Sequence, residues 1–153
     1  GEKLRSGDTL PPITFDRVDG GNVTLPGDLE TDFAVVLFTA ELVTLLPPAV
    51  VGYEKAKAEL DAFGISVYAA SVDTGDKAQE VADEVSFPIG AGITREQAEA
   101  IGAWWEDRRG IVQPSQFLMR RDGSIIQSTY SDGPLGRLLA EDVLGLVNFL
   151  VKQ

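Results

Sequence analysis

The sequence predicts a single α/β domain, residues 1–153, in which a central mixed sheet lies between helices. Three observations support this prediction. The chain has 153 residues and 44% apolar side chains, enough for one hydrophobic core. Two apolar, strand-like runs are separated by a helix-like segment, and hairpin signals occur near both ends of the chain. We expect parallel pairing to prevail in the sheet and helices to cover both faces.

The first element is a predicted β-hairpin. Residues 13–18 and 22–25 flank Asp19-Gly20-Gly21, whose glycines permit the positive φ that a tight turn needs. Because this hairpin precedes the first buried strand, it should form an N-terminal extension of the core sheet.

The next segments form a predicted βαβ unit. Residues 33–38 are a continuous apolar run with β-branched members, which is typical of a strand buried on both faces. A helix should follow to about residue 63, with Gly64 as its C-cap. A second apolar strand at 65–72 then leads into an amphipathic helix at 78–85. The two strands should pair in parallel.

The rest of the chain adds a short strand, a capped helix, a second hairpin and a final amphipathic helix. Thr94 and Gln97 have the spacing of a capping box, and Asp122-Gly123 is a typical hairpin turn. The predicted bounds are 87–90 for the strand, 94 to about 104 for the helix, 116–120 and 124–130 for the hairpin, and 141–150 for the last helix.

The composition excludes several kinds of chemistry. The chain has no cysteine and no histidine, so it has no disulfide, thiolate nucleophile, Ser-His triad, or Cys- or His-ligated metal site. We expect no metal and no cofactor. With 24 acidic against 13 basic residues the protein is acidic, with a net charge of −11, which argues against nucleic acids and anionic membranes as partners.

The sequence contains no predicted membrane span. Its longest apolar stretch, residues 42–51, includes two prolines and is much shorter than the ~20 residues that a bilayer requires. The chain opens with no signal-peptide pattern, and the lack of cysteine suits a reducing compartment. We therefore expect a cytoplasmic protein.

Short motifs occur along the chain in a characteristic order: Gly7-Asp8-Thr9-Leu10-Pro11, the strand at 35–38, Lys55-Ala56-Lys57-Ala58-Glu59-Leu60, Ser71-Val72-Asp73, Phe87-Pro88, Pro114-Ser115-Gln116-Phe117-Leu118 and Gly136-Arg137-Leu138. In this order and spacing the chain resembles the alkyl hydroperoxide reductase/thiol-specific antioxidant (AhpC/TSA) branch of the peroxiredoxins. The resemblance covers nearly the whole chain and implies a thioredoxin-like fold.

The same resemblance implies a peroxidatic cysteine in the loop after the strand at 33–38, at the start of the next helix. Here that loop is degenerate: it contains Thr39, Glu41, Thr44 and Leu45, with Thr44 or Leu45 at about the place of the sulfur. A helix N-terminus lowers a thiol pKa. A threonine hydroxyl is far too weak an acid to ionise there, and the chain has no histidine to act as its base.

Two functions are compatible with this loop. The preferred one is a pseudoenzyme, a cysteine-free peroxiredoxin-like protein that acts as a binding or dimerising scaffold. The alternative, implied by family resemblance alone, is an antioxidant oxidoreductase whose cysteines have been removed or replaced by another group. The helix start either holds a small anion or carbonyl ligand, or is a decayed site capped by threonine or water.

Three further features have both a functional and a structural interpretation. Pro114, with Ser115, occupies the place of the cis-proline that borders a thioredoxin-fold pocket, or it simply begins a strand. Trp104-Trp105 with Arg108 and Arg109 would bind an aromatic or anionic ligand, or they mark a helix end with one tryptophan buried. Finally, an apolar set would form a homodimer interface or fill the emptied pocket; it comprises Leu42, Val43, Leu46 and Val50.

Overall fold

The structure is a computed structural model that describes residues 2–39, 48–131 and 138–152, with the side chains of Pro48 and Ala49 left out. Nine strands and five helices follow one another along the described residues. In chain order they are β1 (Ile13–Arg17), β2 (Asn22–Leu25), β3 (Phe33–Thr39), α1 (Pro48–Lys55), α2 (Lys57–Ala62), β4 (Ile65–Ser71), α3 (Gly75–Glu84), β5 (Ile89–Ala91), α4 (Arg95–Ala100), β6 (Trp105–Glu106), β7 (Ile111–Val112), β8 (Ser115–Arg120), β9 (Ile125–Tyr130) and α5 (Ala140–Val151).

Seven of these strands form the central sheet, in the order β2-β1-β5-β4-β3-β8-β9. The β3–β4 and β4–β5 pairs are parallel, and the other four pairs are antiparallel. A mixed sheet is therefore confirmed, but the expectation that parallel pairing prevails is wrong. The hairpins β1–β2 and β8–β9 attach on opposite sides of the parallel centre, and each contributes only antiparallel pairs.

Strand β3 is the centre of the sheet and of the hydrophobic core. Six of its seven residues are buried, as its continuous apolar run predicts. Because side chains alternate across a strand, Phe33, Val35 and Leu37 belong to one core cluster, whereas Ala34, Val36 and Phe38 belong to the cluster on the other face.

Helices cover both faces of the sheet, as expected. Buried residues of α1, α2, α3 and α5 share the core cluster that contains Val35. On the opposite face, Ala98 of α4 packs with the β1–β2 hairpin and with Val112 of β7. The β1–β2 hairpin thus extends the sheet and also closes the second core.

Two helices differ from their predicted bounds. The helix expected after β3 is divided into α1 and α2 at Ala56, whose φ and ψ are −89° and 5°, and Gly64 follows α2 with a φ of +70°. Helix α4 has the predicted capping box but ends at Ala100, before Gly102, whose φ is +77°. A Cβ at Gly102 would lie 2.2 Å from the Glu2 carbonyl oxygen. The N-terminal arm, residues 2–12 before β1, therefore passes directly over Gly102.

Candidate functional site

One edge of the sheet brings together the residues that precede and follow the degenerate loop. Thr39, the last residue of β3, lies opposite Ser71 at the end of β4. On the other side of β3, Phe38 lies opposite Ser115, which begins β8. Because β8 runs antiparallel to β3, its first residues meet the carboxyl end of β3 at the edge from which residues 40–47 depart.

Buried polar side chains concentrate at and next to this edge. The described part of the chain has five buried polar residues, and all of them come from the ends of β4, β8 and β9 or the segments beside them: Ser71, Gln113, Ser115, Gln116 and Ser131. A buried polar group destabilises the fold unless it is hydrogen-bonded. The hydrogen-bond partners of these side chains therefore indicate whether their role is structural.

The hydrogen bonds show that two of the hydroxyls hold neighbouring backbone. Ser115 Oγ donates to the Gln113 carbonyl oxygen at 2.9 Å, and Ser71 Oγ accepts from the Asp73 amide at 3.0 Å. Thr39 Oγ1 lies 3.5 Å from the Ala70 carbonyl oxygen, a long contact that leaves the hydroxyl weakly engaged. These hydrogen bonds therefore have a structural role.

Leu138, the first residue described after 132–137, is fixed at both of its backbone groups. Its amide donates to Gln116 Oε1, and its carbonyl oxygen accepts from Tyr53 Oη at 2.8 Å. Burial, with a smaller effect from Asp142, raises the pKa of Tyr53, so its hydroxyl stays protonated at neutral pH and cannot act as a base. Gln116 and Tyr53 thus attach the start of α5 to β8 and α1.

Pro114 and Ser115 lie where β8 begins, with Ser115 opposite Phe38; the pocket predicted for them stays a prediction. Among the peptide bonds of the described residues, Leu25–Pro26 is the cis one, so the Gln113–Pro114 bond is trans and the cis geometry considered for Pro114 is not found. The Pro114 carbonyl oxygen accepts from the Ser131 amide at 2.9 Å. Pro114 therefore helps to join the beginning of β8 to the segment after β9.

Most of the predicted loop and interface residues lie outside the described residues: Glu41, Leu42, Val43, Thr44, Leu45 and Leu46. Val50, the remaining member of the predicted interface set, is 1% exposed and packs in the core with Tyr53 and Leu60. Its buried side chain stabilises α1 against the sheet, so the predicted interface depends on the members at 42–46.

Trp105 lies in a hairpin and Trp104 directly before it, whereas helix α4 already ends at Ala100. Trp105 pairs with Val112 in the β6–β7 ladder, while Trp104 precedes β6 and is 66% exposed. Arg109 forms an ion pair with Glu106 at 2.6 Å, and its hydrogen bonds lower the pKa of that carboxyl. The hairpin is hard to predict because its strands are two residues long. The available signals were Gly102, which precedes it, and Gly110, which lies in the turn between its two strands.

The chemistry of the edge follows from these groups. Thr39, Ser71 and Ser115 offer hydroxyls, and Gln113 and Gln116 offer amides; these neutral groups donate and accept hydrogen bonds but do not ionise near pH 7. Among the described residues, no group of three or more acidic side chains is arranged to hold a metal ion. These five side chains can bind or orient a polar group, but as neutral groups they do not act as bases near pH 7.

Solved structures of peroxiredoxins share this fold. Mycobacterium tuberculosis AhpC superposes with a TM-score of 0.80 at 19% identity, covering 97% of this chain and 94% of that chain. Peroxidoxin BcpB from the same organism has a TM-score of 0.80 at 15% identity, over 96% and 98% of the two chains. Plasmodium yoelii Prx1a, modified at its N-terminus and forming an artifactual octamer, has a TM-score of 0.77 at 14% identity, over 94% and 90%.

These likenesses establish the thioredoxin-like fold that the sequence predicts. No curated protein matches the chain in sequence. None of the helices in the described residues is long and apolar enough to cross a membrane. At the level of sequence families, the AhpC/TSA family matches residues 6–128, and the chain therefore belongs to the AhpC/TSA family.

Proposed function

We propose that this chain is a peroxiredoxin-like pseudoenzyme that has lost thiol peroxidase chemistry and acts as a binding or self-associating scaffold. The observation that carries the proposal is the absence of cysteine from all 153 residues in a chain that belongs to a thiol-dependent family. A peroxide oxygen is attacked by a thiolate, and no other side chain in this composition ionises to a comparable nucleophile at neutral pH.

The described sheet edge supports the same conclusion. Its hydroxyls have no histidine beside them, and its buried tyrosine, Tyr53, has a raised pKa because of burial. The polar groups there hold Leu138 and the segments around Pro114 in place. The scaffold around the family's reaction centre is therefore maintained by hydrogen bonds that need no thiol.

Peroxide consumption tests the loss of activity. With hydrogen peroxide or an organic hydroperoxide, and with dithiothreitol or a thioredoxin system as reductant, we expect no rate above that of buffer. A cysteine-bearing peroxiredoxin serves as the positive control, and the heat-denatured chain controls for trace contaminants. A saturable rate that is lost on denaturation would favour the alternative, an oxidoreductase that uses another group.

The codons of the encoding gene provide an independent test of that alternative. If they specify cysteine at position 44 or 45, where this chain has Thr44 and Leu45, the antioxidant oxidoreductase becomes the favoured function. If the gene is also free of cysteine, the thiol mechanism is excluded on chemical grounds.

We further propose that the scaffold forms a homodimer through the apolar residues Leu42, Val43 and Leu46. The fold tolerates assembly, since Plasmodium yoelii Prx1a, modified at its N-terminus, forms an artifactual octamer. Two copies of a chain with a charge of −11 repel each other, so contact requires an uncharged patch, and residues 42–46 carry no charged side chain.

Size-exclusion chromatography with light scattering tests the dimer. We expect a dimer whose fraction rises with protein concentration and with salt, because salt screens the repulsion, and which Leu42→Asp combined with Leu46→Asp converts to a monomer. Phe149→Asp, at an exposed position on α5, is the matched control. A strict monomer, or a dimer disrupted only by the control, would contradict the proposal.

The cytoplasmic location expected from the sequence stays a prediction.

A further inference from the structure

Both tryptophans of the chain line the same surface groove, which adjoins the sheet edge described above at Gln113. The groove has a volume of about 520 Å³ and lies between the N-terminal arm, α4 and the β6–β7 hairpin. This volume is in the range of small-molecule sites. The lining side chains that the following argument uses are Lys3, Arg95, Glu99, Trp104, Trp105 and Asp107.

Trp104 presents an unusually large apolar surface to the groove. Its side chain is 66% exposed, the highest value among the exposed large hydrophobic residues. Covering an indole ring that is exposed to water lowers the free energy, because it buries a large apolar surface. Tryptophan is also enriched among the residues that contribute most to binding. The position of Trp104 in a groove, and not on a convex surface, favours a ligand that is small enough to enter it.

Hydrogen bonds hold the backbone that carries the two tryptophans. The backbone amide of Trp104 donates to Gln113 Oε1 at 3.0 Å, and the backbone amide of Gln113 donates to the Trp104 carbonyl oxygen at 2.7 Å. Trp105 is paired with Val112 in the adjacent ladder. Ligand binding therefore does not have to order the backbone of this wall, which lowers its cost in conformational entropy.

The charges around the groove are unevenly compensated. Arg95 is already engaged by two carboxylates, at 3.0 Å from Glu99 and 2.8 Å from Asp107. Lys3 has its ammonium 5.3 Å from the centre of the Tyr130 ring, and no carboxylate of the described residues lies within ion-pair distance of it. The cation that remains for a ligand is therefore Lys3.

We propose that this groove binds a small planar aromatic anion, with the ring on the indole of Trp104 and the acidic group at the Lys3 ammonium. Stacking on Trp104 supplies most of the affinity, and Lys3 selects a carboxylate or sulfonate over a neutral or cationic group. Lys3 and Trp104, which carry the proposal, do not belong to the degenerate loop, so the proposal holds whether or not the chain self-associates or turns over peroxide.

Nuclear magnetic resonance tests the groove directly, because the chain's two tryptophans give two indole N–H signals. Three probes share one ring and differ in charge: naphthalene-2-carboxylate, 2-naphthol and 2-naphthylmethylammonium. At about 0.15 M salt, which screens the distant charges of the chain, we expect the carboxylate to shift both indole signals with a Kd of about 1 mM, as expected for a fragment-sized ligand. It should bind about threefold more tightly than naphthol, since an exposed ion pair contributes little.

Two variants separate the roles of the ring and the charge. Lys3→Met should remove the preference for the carboxylate and leave naphthol binding unchanged, whereas Trp104→Ala should weaken all three probes. Phe149→Ala, which removes an exposed aromatic ring elsewhere, should change none of them. The proposal is overturned if neither indole signal shifts saturably, if the ammonium probe binds most tightly, or if Lys3→Met leaves the preference intact.

Discussion

Gly90 lies where three strands crowd together, and its missing side chain is a packing requirement. It is in β5, opposite Arg17 of β1 and Ala70 of β4. A Cβ at this position would lie 2.3 Å from Cδ2 of Phe15 and 3.0 Å from Cβ of Ala70. The Phe15 ring therefore occupies the space that any other residue at position 90 would need.

Gly90→Ala should lower the free energy of unfolding by about 1–3 kcal/mol, because the added methyl group forces the Phe15 ring out of a closely packed core. Urea unfolding followed by circular dichroism measures the change. Gly145→Ala is the matched control, because nothing lies within 4 Å of a Cβ at that position of α5, and it should stabilise the protein by about 0.5–1 kcal/mol. Equal effects of the two substitutions would show that the Phe15 contact is not limiting.

Helix α4 is six residues long, so its end groups decide its stability more than its length does. The Gln97 amide donates to Thr94 Oγ1 at 3.2 Å, and the Thr94 amide donates to Gln97 Oε1 at 3.0 Å. Gln97 Nε2 also donates to the Thr14 carbonyl oxygen at 2.6 Å. One glutamine thus caps the helix and attaches it to β1.

Thr94→Ala should therefore destabilise the protein by about 1 kcal/mol, the usual effect of removing an N-cap hydroxyl. Thr94→Ser keeps the hydroxyl oxygen that accepts from the Gln97 amide, so it should lower the free energy of unfolding much less. Chemical denaturation measures both variants, and amide exchange of α4 shows whether the loss is local. The capping role would be disproved if the alanine and serine variants were equally stable.

On the scale of the whole molecule, the protein has an excess of acidic side chains, and three of its carboxylates are stabilised in their charged form. Hydrogen bonds from Ser124 lower the pKa of Asp122, and Arg17 and Arg109 lower the pKa values of Asp19 and Glu106 in the same way. A carboxyl whose pKa is lower in the folded than in the unfolded chain stabilises the fold at pH values above its pKa in the unfolded chain. That contribution is lost as the pH falls through the folded value.

The variant that combines Asp19→Asn, Glu106→Gln and Asp122→Asn should accordingly have a lower urea midpoint than the parent at pH 7. The two proteins should converge as the pH is lowered through the folded pKa values of these carboxyls, below their usual range. Relief of the repulsion from a net charge of −11 acts in the opposite direction at pH 7. A constant difference between the two proteins at all pH values would exclude these pKa shifts as its cause.

Local signals in the sequence account for much of the fold. The run at 33–38 predicts β3 because an apolar, β-branched segment is stable only where both of its faces are buried. Asp122-Gly123 predicts the β8–β9 turn and Thr94 with Gln97 predicts the cap of α4, because each depends on residues at most three positions apart. The absence of cysteine needs no structure at all.

The tertiary structure decided the features that depend on residues far apart in the chain. Sequence periodicity does not show that Phe15 crosses Gly90, that Gln116 holds Leu138, or that Lys3 reaches the groove of Trp104, because each contact joins segments that only the folded sheet brings together. The sequence by itself determined the family, the strands of the central sheet and the absence of cysteine. Packing across the sheet decided where the remaining polar and aromatic groups meet, since those positions follow from strand order and not from neighbouring residues.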